Sequence, residues 1–329
     1  MTAVDELPLS RNATGESVRD LQRRLAAAGF PAGVSESGRF GAQTAAALRE
    51  FQAERGLRPT GECDAPTWAG LVEAGYRLGD RLLYLRSPMQ RGDDVGELQR
   101  RLGALGFDAG RVDGIFGPAT ETALKDFERN AGLTTDGVCG RDVVSELSRL
   151  GGRDESASVV AGVRERERLL HAPRALHGRR IAVGDAGGLG VLTDALAKGL
   201  QDAGATVAVF HHPDASTQAA EANQFDAEAF VGMALDESGP CNVAFYSTRG
   251  FESAGGRRLA ELAVDMLAAQ AELEVDPVNG MRLPILRETR MPAVMCSLGP
   301  PARVVTASAA LARGLAQVLG RWVAAPVER

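Results

Sequence analysis

Residues 181–210 read "IAVGDAGGLGVLTDALAKGLQDAGATVAVF". A short β-branched run, "IAVG", leads through a glycine-rich turn into the amphipathic stretch "LTDALAKGLQDAG", and a second β-branched run, "TVAVF", follows. Strand, loop, helix, strand is the repeating unit of a parallel sheet. The alternation continues downstream with the apolar runs "AFVGMAL" (229–235) and "NVAFYS" (242–247), then a helical "RRLAELAVDMLAAQ" (257–270). A further strand, "PAVMCSLG" (292–299), and a long helix, "ARVVTASAALARGLAQVLGRWV" (302–323), complete it. This half of the chain therefore reads as a doubly wound α/β domain with a largely parallel sheet. Sites in such sheets lie at the carboxyl ends of the strands, which makes those residues the first candidates.

The first half is different. "GESVRDLQRRLAAAGF" (15–30) returns as "GDDVGELQRRLGALGF" (92–107), an internal repeat. The offset shortens by one in the following loop, so Phe40 matches Phe116 and Phe51 matches Phe127. In each copy one helical face is apolar: Val18, Leu21, Leu25 and Ala28, then Val95, Leu98, Leu102 and Leu105. Gly29 and Gly106 stand where these helices should stop, because glycine takes the left-handed conformation cheaply. "SGRFGAQT" (37–44) or "DGIFGPAT" (113–120) turns the chain into a second helix carrying Leu48 and Phe51, or Leu124 and Phe127. "GLRPTGECDAPTW" (56–68) and "GLTTDGVCGRDVV" (132–144) precede a third. Each copy is a three-helix module of about 60 residues, near the lower limit for independent folding. Its aromatics, with Trp68, fall at core spacing.

The expected organisation is two small all-α three-helix modules, 1–78 and 79–150, a linker over 151–180, and an α/β domain over 181–329. The linker is rich in small and charged residues, and its "VRERERLL" (163–170) suits a short solvated helix. A net charge of −6 over 329 residues argues against broad nucleic-acid binding. No stretch reaches the roughly 18 apolar residues of a membrane span, and the first twenty residues lack a signal-peptide pattern, so a cytoplasmic location is expected. Cys63, Cys139, Cys241 and Cys296 form no CxxC pair and read as small buried residues.

Two resemblances follow from these stretches. "LQRRLGALGF…VDGIFGPATETALKDFERNAGLTTDGVCG" (98–140) resembles the peptidoglycan-binding type 1 module, and both repeats carry the pattern. The resemblance implies recognition of a cell-wall glycopeptide or of a protein partner. "LPILRETRMPAVMCSLG" (283–299), with "ALAKGLQDAGATVAVF" (195–210), resembles the zinc-dependent N-acetylmuramoyl-L-alanine amidases of the Amidase_3 type. That family implies a zinc ion held by His, Glu and His, with a catalytic Glu on the "PAVLVE"-like strand. Carried over by position, the first His falls at Asp185 or Ala186, the second at Ala234 and the catalytic Glu at Ser297. The loop to the helical Glu is shortened, and Asp194 is the nearest acid. The layout, with "YRLGDRLLY" (76–84) between the repeats, is similar to the actinobacterial CwlM group.

The resemblance thus implies a catalytically inactive, amidase-like protein that regulates peptidoglycan precursor synthesis through protein contacts. The enolpyruvyl transferase MurA is the candidate partner, and no catalytic, cofactor or metal residue is expected. The alternatives are an active amidase, which would need zinc, and a non-catalytic peptidoglycan-binding protein. Three further constellations read as bland. His211 and His212 are adjacent on a strand and point to opposite faces, with Asp214 and Asp236 at neighbouring strand ends. Ser297 lacks a G-x-S-x-G elbow, and "GDAGGLG" (184–190) lacks the GK[ST] of a phosphate loop.

Overall fold

The computed structural model describes residues 7–32, 38–150, 160–237, 239–248, 250–269 and 273–327. The chain divides into two compact units, residues 1–161 with 248–251, and residues 162–247 with 252–329.

In the first unit, α1 (Glu16–Ala27), α2 (Ala42–Glu54) and α3 (Ala65–Ala74) form one module. α4 (Asp93–Ala104), α5 (Pro118–Ala131) and α6 (Arg141–Leu150) form the other. Each has its own core. Leu21, Leu25, Leu48, Phe51 and Leu71 are fully buried in the first, and Leu98, Leu102, Phe116, Leu124 and Phe127 in the second. Phe30 meets Phe51 edge-on at 5.7 Å, and Phe107 meets Phe127 in the same way at 5.6 Å. Gly29 and Gly106 adopt φ of 94° and 92°, so each first helix ends as the sequence predicts.

The repeated "LQ" also acquires a reason. Gln22 Oε1 accepts from the Gly38 N–H at 2.9 Å, while its Nε2 donates to Thr44 Oγ1 and to the Arg39 carbonyl. Gln99 does the same with Gly114, Thr120 and Ile115. One amide therefore clamps the glycine turn onto the start of the second helix, satisfying backbone groups that the turn leaves unpaired.

The second unit begins with α7 (Val160–His171) and continues β1 (Arg180–Asp185), α8 (Gly190–Asp202), β2 (Thr206–His211), α9 (Ala215–Gln224) and β3 (Ala229–Leu235). Then come β4 (Asn242–Thr248), β5 (Phe251–Glu252), α10 (Ala254–Ala268), β6 (Asn279–Met281), α11 (Pro284–Glu288), β7 (Ala293–Leu298) and α12 (Pro301–Ala324). The strand order is β2-β1-β3-β7-β4-β5, with β6 also on β4. β2, β1, β3 and β7 run parallel, whereas β4 is antiparallel to β7. Ile181, Val183, Val231, Met233, Val294 and Cys296 point to one face and pack with residues of α8, α10 and α12 in the main core. Gly184 and Gly232 lie on the opposite face. There Gln218 of α9 sits over Gly184, so helices cover both sides of the sheet.

Two departures from the sequence reading stand out. α9 is a helix that the apolar pattern does not reveal, since its buried residues are Gln218, Ala219 and Ala222. α7 is not simply solvated. Leu169 enters the core of the second unit, and Glu165 is buried with its Oε1 accepting from Ser253 Oγ at 2.6 Å. Ser253 is also the N-cap of α10, so α7 is fastened to the start of that helix.

Candidate functional site

The parallel strands bring the predicted positions to one edge. Asp185, the last residue of β1, pairs with Met233 of β3, and Ala234 pairs with Ser297 of β7. Ala186 still donates its N–H to the Met233 carbonyl, which puts it level with Ala234. The strand ends therefore present a row, Ala186–Ala234–Ser297, across three adjacent strands. It carries two methyl groups and one hydroxymethyl.

Asp185 belongs to the alternate face, because side chains alternate along a strand. Its carboxylate is buried, and Oδ1 accepts from the Gly187 N–H at 2.7 Å. Its Oδ2 lies 3.4 Å from His211 Nδ1, on the strand end next door. This Asp185–His211 pair was not anticipated from the sequence. It depends on the register of β1 against β2, which sets Asp185 opposite His211. His212 is engaged elsewhere: its Nδ1 accepts from the Asp214 N–H at 3.0 Å. Asp214 caps α9 through Thr217, whose N–H and hydroxyl hold its carboxyl below the ordinary range. Asp194 is exposed on α8, and Asp236 donates its backbone N–H to Leu298.

The mouth of the first loop is filled from two sides. Gln218 Nε2 donates to the Asp185 carbonyl at 3.1 Å and to the His212 carbonyl at 2.5 Å. A Cβ on Gly188 would come within 3.0 Å of the Leu235 side chain. Gly184 and Gly188 of "GDAGG" thus serve close packing, whereas Gly187, at φ of 123°, meets nothing within 4 Å and serves the turn itself.

A catalytic zinc takes three protein ligands, of imidazole, thiolate or carboxylate type, and one water. The row offers none of these, and the oxygens of Asp185 already face Gly187 and His211. Among the described residues no three His, Cys, Asp or Glu side chains come together in a way that would hold a metal ion. The residues present do not fit a zinc centre.

Residues 14–71 and 91–147 each match the family described as "Putative peptidoglycan binding domain". The chain is 33% identical over 292 residues to the N-acetylmuramoyl-L-alanine amidase CwlM of Mycobacterium tuberculosis, covering 79% of this chain and 71% of that protein. It belongs to the CwlM-type N-acetylmuramoyl-L-alanine amidase family. A second relative, the amidase CwlL of Bacillus licheniformis, is 31% identical over 163 residues, 43% of this chain and 45% of that one. Among solved structures, the N-acetylmuramoyl-L-alanine amidase from Clostridium difficile 630 aligns with 45% of this chain and 98% of its own at 15% identity and a TM-score of 0.39. Within the CwlM-type family, this chain joins helical peptidoglycan-binding modules to an α/β domain with a mostly parallel sheet. Among the described residues no helix is long and apolar enough to cross a membrane.

Proposed function

We propose that this member of the family is a non-catalytic amidase-like protein that acts by binding, and that it regulates peptidoglycan precursor synthesis through a protein partner. One observation supports the reading: the positions to which the resemblance assigns the family's metal ligands and catalytic Glu, Asp185 or Ala186, Ala234 and Ser297, meet at adjacent strand ends, and the level row Ala186–Ala234–Ser297 bears only two methyl groups and one hydroxymethyl. Zinc polarises the scissile carbonyl and activates water, and a nearby carboxylate moves the protons. The row has neither an imidazole to hold the metal nor a carboxylate to serve the water. The whole α/β domain, 181–329, then acts as a surface. The two modules, 1–78 and 79–150, contribute contacts to a cell-wall glycopeptide or to the partner, in a cytoplasmic setting.

The candidate partner is the enolpyruvyl transferase MurA. Purified MurA titrated with the full chain, with binding read by calorimetry and turnover by phosphate release, tests this directly. Saturable binding with a changed rate supports regulation. Sedimentation with purified sacculi and no effect on MurA points instead to a plain glycopeptide-binding protein. Release of stem peptides from muropeptides would establish an active amidase and overturn the reading.

A further inference from the structure

Four side chains occupy equivalent clamp positions in the two modules, and one breaks the chemistry. Gln22, Gln52 and Gln99 each accept from a turn glycine, Gly38, Gly61 and Gly114, at 2.9, 2.8 and 2.8 Å. Each donates from Nε2 to a threonine hydroxyl, on Thr44, Thr67 and Thr120. Each also donates to the carbonyl of the residue after that glycine, on Arg39, Glu62 and Ile115. The fourth position is Glu128. Its Oε2 accepts from the Gly137 N–H at 2.9 Å, as the pattern requires. The threonine is replaced by Val143, and the carbonyl that follows the glycine belongs to Val138. Glu128 is fully buried, and its Oε1, in the place of the donating amide, has no hydrogen-bond donor among the described residues.

An ionised carboxylate only accepts, so in the place of the amide Oε1 would offer the turn no donor. A buried, unpaired charge is expensive, and a neutral carboxylic acid reproduces the amide's pattern of one acceptor and one donor. The geometry points to a proton-coupled clamp: the second module folds with Glu128 protonated, its acid proton donated to an acceptor of the 136–138 turn, the Asp136 carboxylate or the Val138 carbonyl, as the three glutamine amides donate at their turns.

The surrounding charges agree. Burial raises the Glu128 carboxyl above its ordinary range, and the Asp136 carboxylate in the same turn adds to the rise by its charge and by a side-chain hydrogen bond, outweighing the Gly137 and Asp136 N–H groups that oppose it. Asp136 is itself held by the Val138 N–H at 2.9 Å. On α5, Lys125 packs along Gly137 but is bonded to Glu121 at 2.9 Å. Cys139 follows the turn and feels Glu128, Asp94 and Arg101. A group whose folded pKa is raised gives stability that is complete below its unfolded pKa and is lost as pH rises through the folded value. The second module therefore loosens as pH climbs above the ordinary carboxyl range, and the first does not.

The chain contains its own matched probes. Cys63 and Cys139 occupy equivalent buried positions, paired with Leu9 and Leu83. Pulsed thiol labelling of the full chain, resolved by mass spectrometry, reports module opening, and the Cys139:Cys63 ratio cancels the thiol chemistry common to both. The ratio should rise between pH 5 and pH 8, with a slope of up to about tenfold per pH unit before levelling. It should be flat in Glu128→Gln, and the slope should pass to Cys63 in the reciprocal Gln52→Glu, Thr67→Val variant. A ratio independent of pH in the unmodified chain, or a slope that survives Glu128→Gln, overturns the proposal. So does a calcium-dependent fall of Cys139 labelling at pH 8 that Glu128→Gln abolishes, since a cation would then occupy the proton's place.

Discussion

Replacing Ser253 by alanine should destabilise the second unit well beyond the loss of one hydroxyl. Ser253 is buried, and its Oγ does two things: it accepts from the Gly256 N–H at 3.1 Å, capping α10, and it donates to Glu165 Oε1 at 2.6 Å. Losing a serine N-cap costs about 1 kcal/mol. Losing the hydroxyl also leaves a buried carboxylate, whose Oε2 has no partner among the described residues, without its Ser253 donor. Leaving such a group unsatisfied costs about 1–3 kcal/mol, more if it is charged. The sum, about 2–4 kcal/mol, is a large fraction of the roughly 5–15 kcal/mol that holds a typical domain together. The chain's two tryptophans fall one in each unit, so Trp68→Phe leaves Trp322, fully buried in the second unit, as the sole reporter. Urea unfolding in that background should show a midpoint lowered by about 1–2 M with an unchanged slope. In a Glu165→Leu background the same substitution should cost only the cap, about 1 kcal/mol. Equal costs in both backgrounds, or a cost below about 0.5 kcal/mol in the first, would refute the account of how α7 is fastened.

Three other outcomes follow from the same structure. Phe127→Ala should remove about 3–5 kcal/mol from a module of only some 60 residues and unfold it, while the core around Phe51 keeps its protection from hydrogen exchange. Burial pushes the thiols of Cys63, Cys139 and Cys296 up to about 12, so at pH 8 the folded chain should react with thiol reagents only as fast as it opens. The stability these thiols contribute should fall as pH rises from about 8.5 towards that value, which alkaline unfolding curves would record. A Cβ on Gly184 would lie 2.2 Å from Gln218 Oε1 and 2.6 Å from Phe230 Cζ, so Gly184→Ala should lower the thermal midpoint of the second unit by several degrees through overpacking of about 1–3 kcal/mol.

The repeats were legible because their signals are local. Gly29, Gly106 and the apolar face of each first helix fix a helix and its stop within one stretch of chain. The β–α alternation of the second half was legible for the same reason. α9 was hidden because alanine, serine and glutamine give no apolar stripe, and only the capping Asp214 betrays its start. The helix α7 was legible in "VRERERLL", but its anchoring was hidden by its charges, since Glu165 and Leu169 become meaningful only once Ser253 and the sheet core meet them. The antiparallel direction of β4 leaves no mark in its composition. At the candidate site the three strand ends could be named from the sequence, but the pairing of Asp185 with His211 depends on register across two strands. The Gln218 contact depends on a helix that the sequence pattern had not shown. Glu128 illustrates the converse: its role emerges only by comparing it with Gln22, Gln52 and Gln99 in space.

The row Ala186–Ala234–Ser297 should leave the domain without a metal centre, and muropeptide turnover by the purified full chain in the presence of added zinc tests this most directly. Stem peptide should not be released above the zinc-only blank, and no stoichiometric zinc should be retained after gel filtration. Zinc-dependent cleavage of the muramoyl–alanine amide, with about one zinc bound per chain as a catalytic site requires, would contradict it.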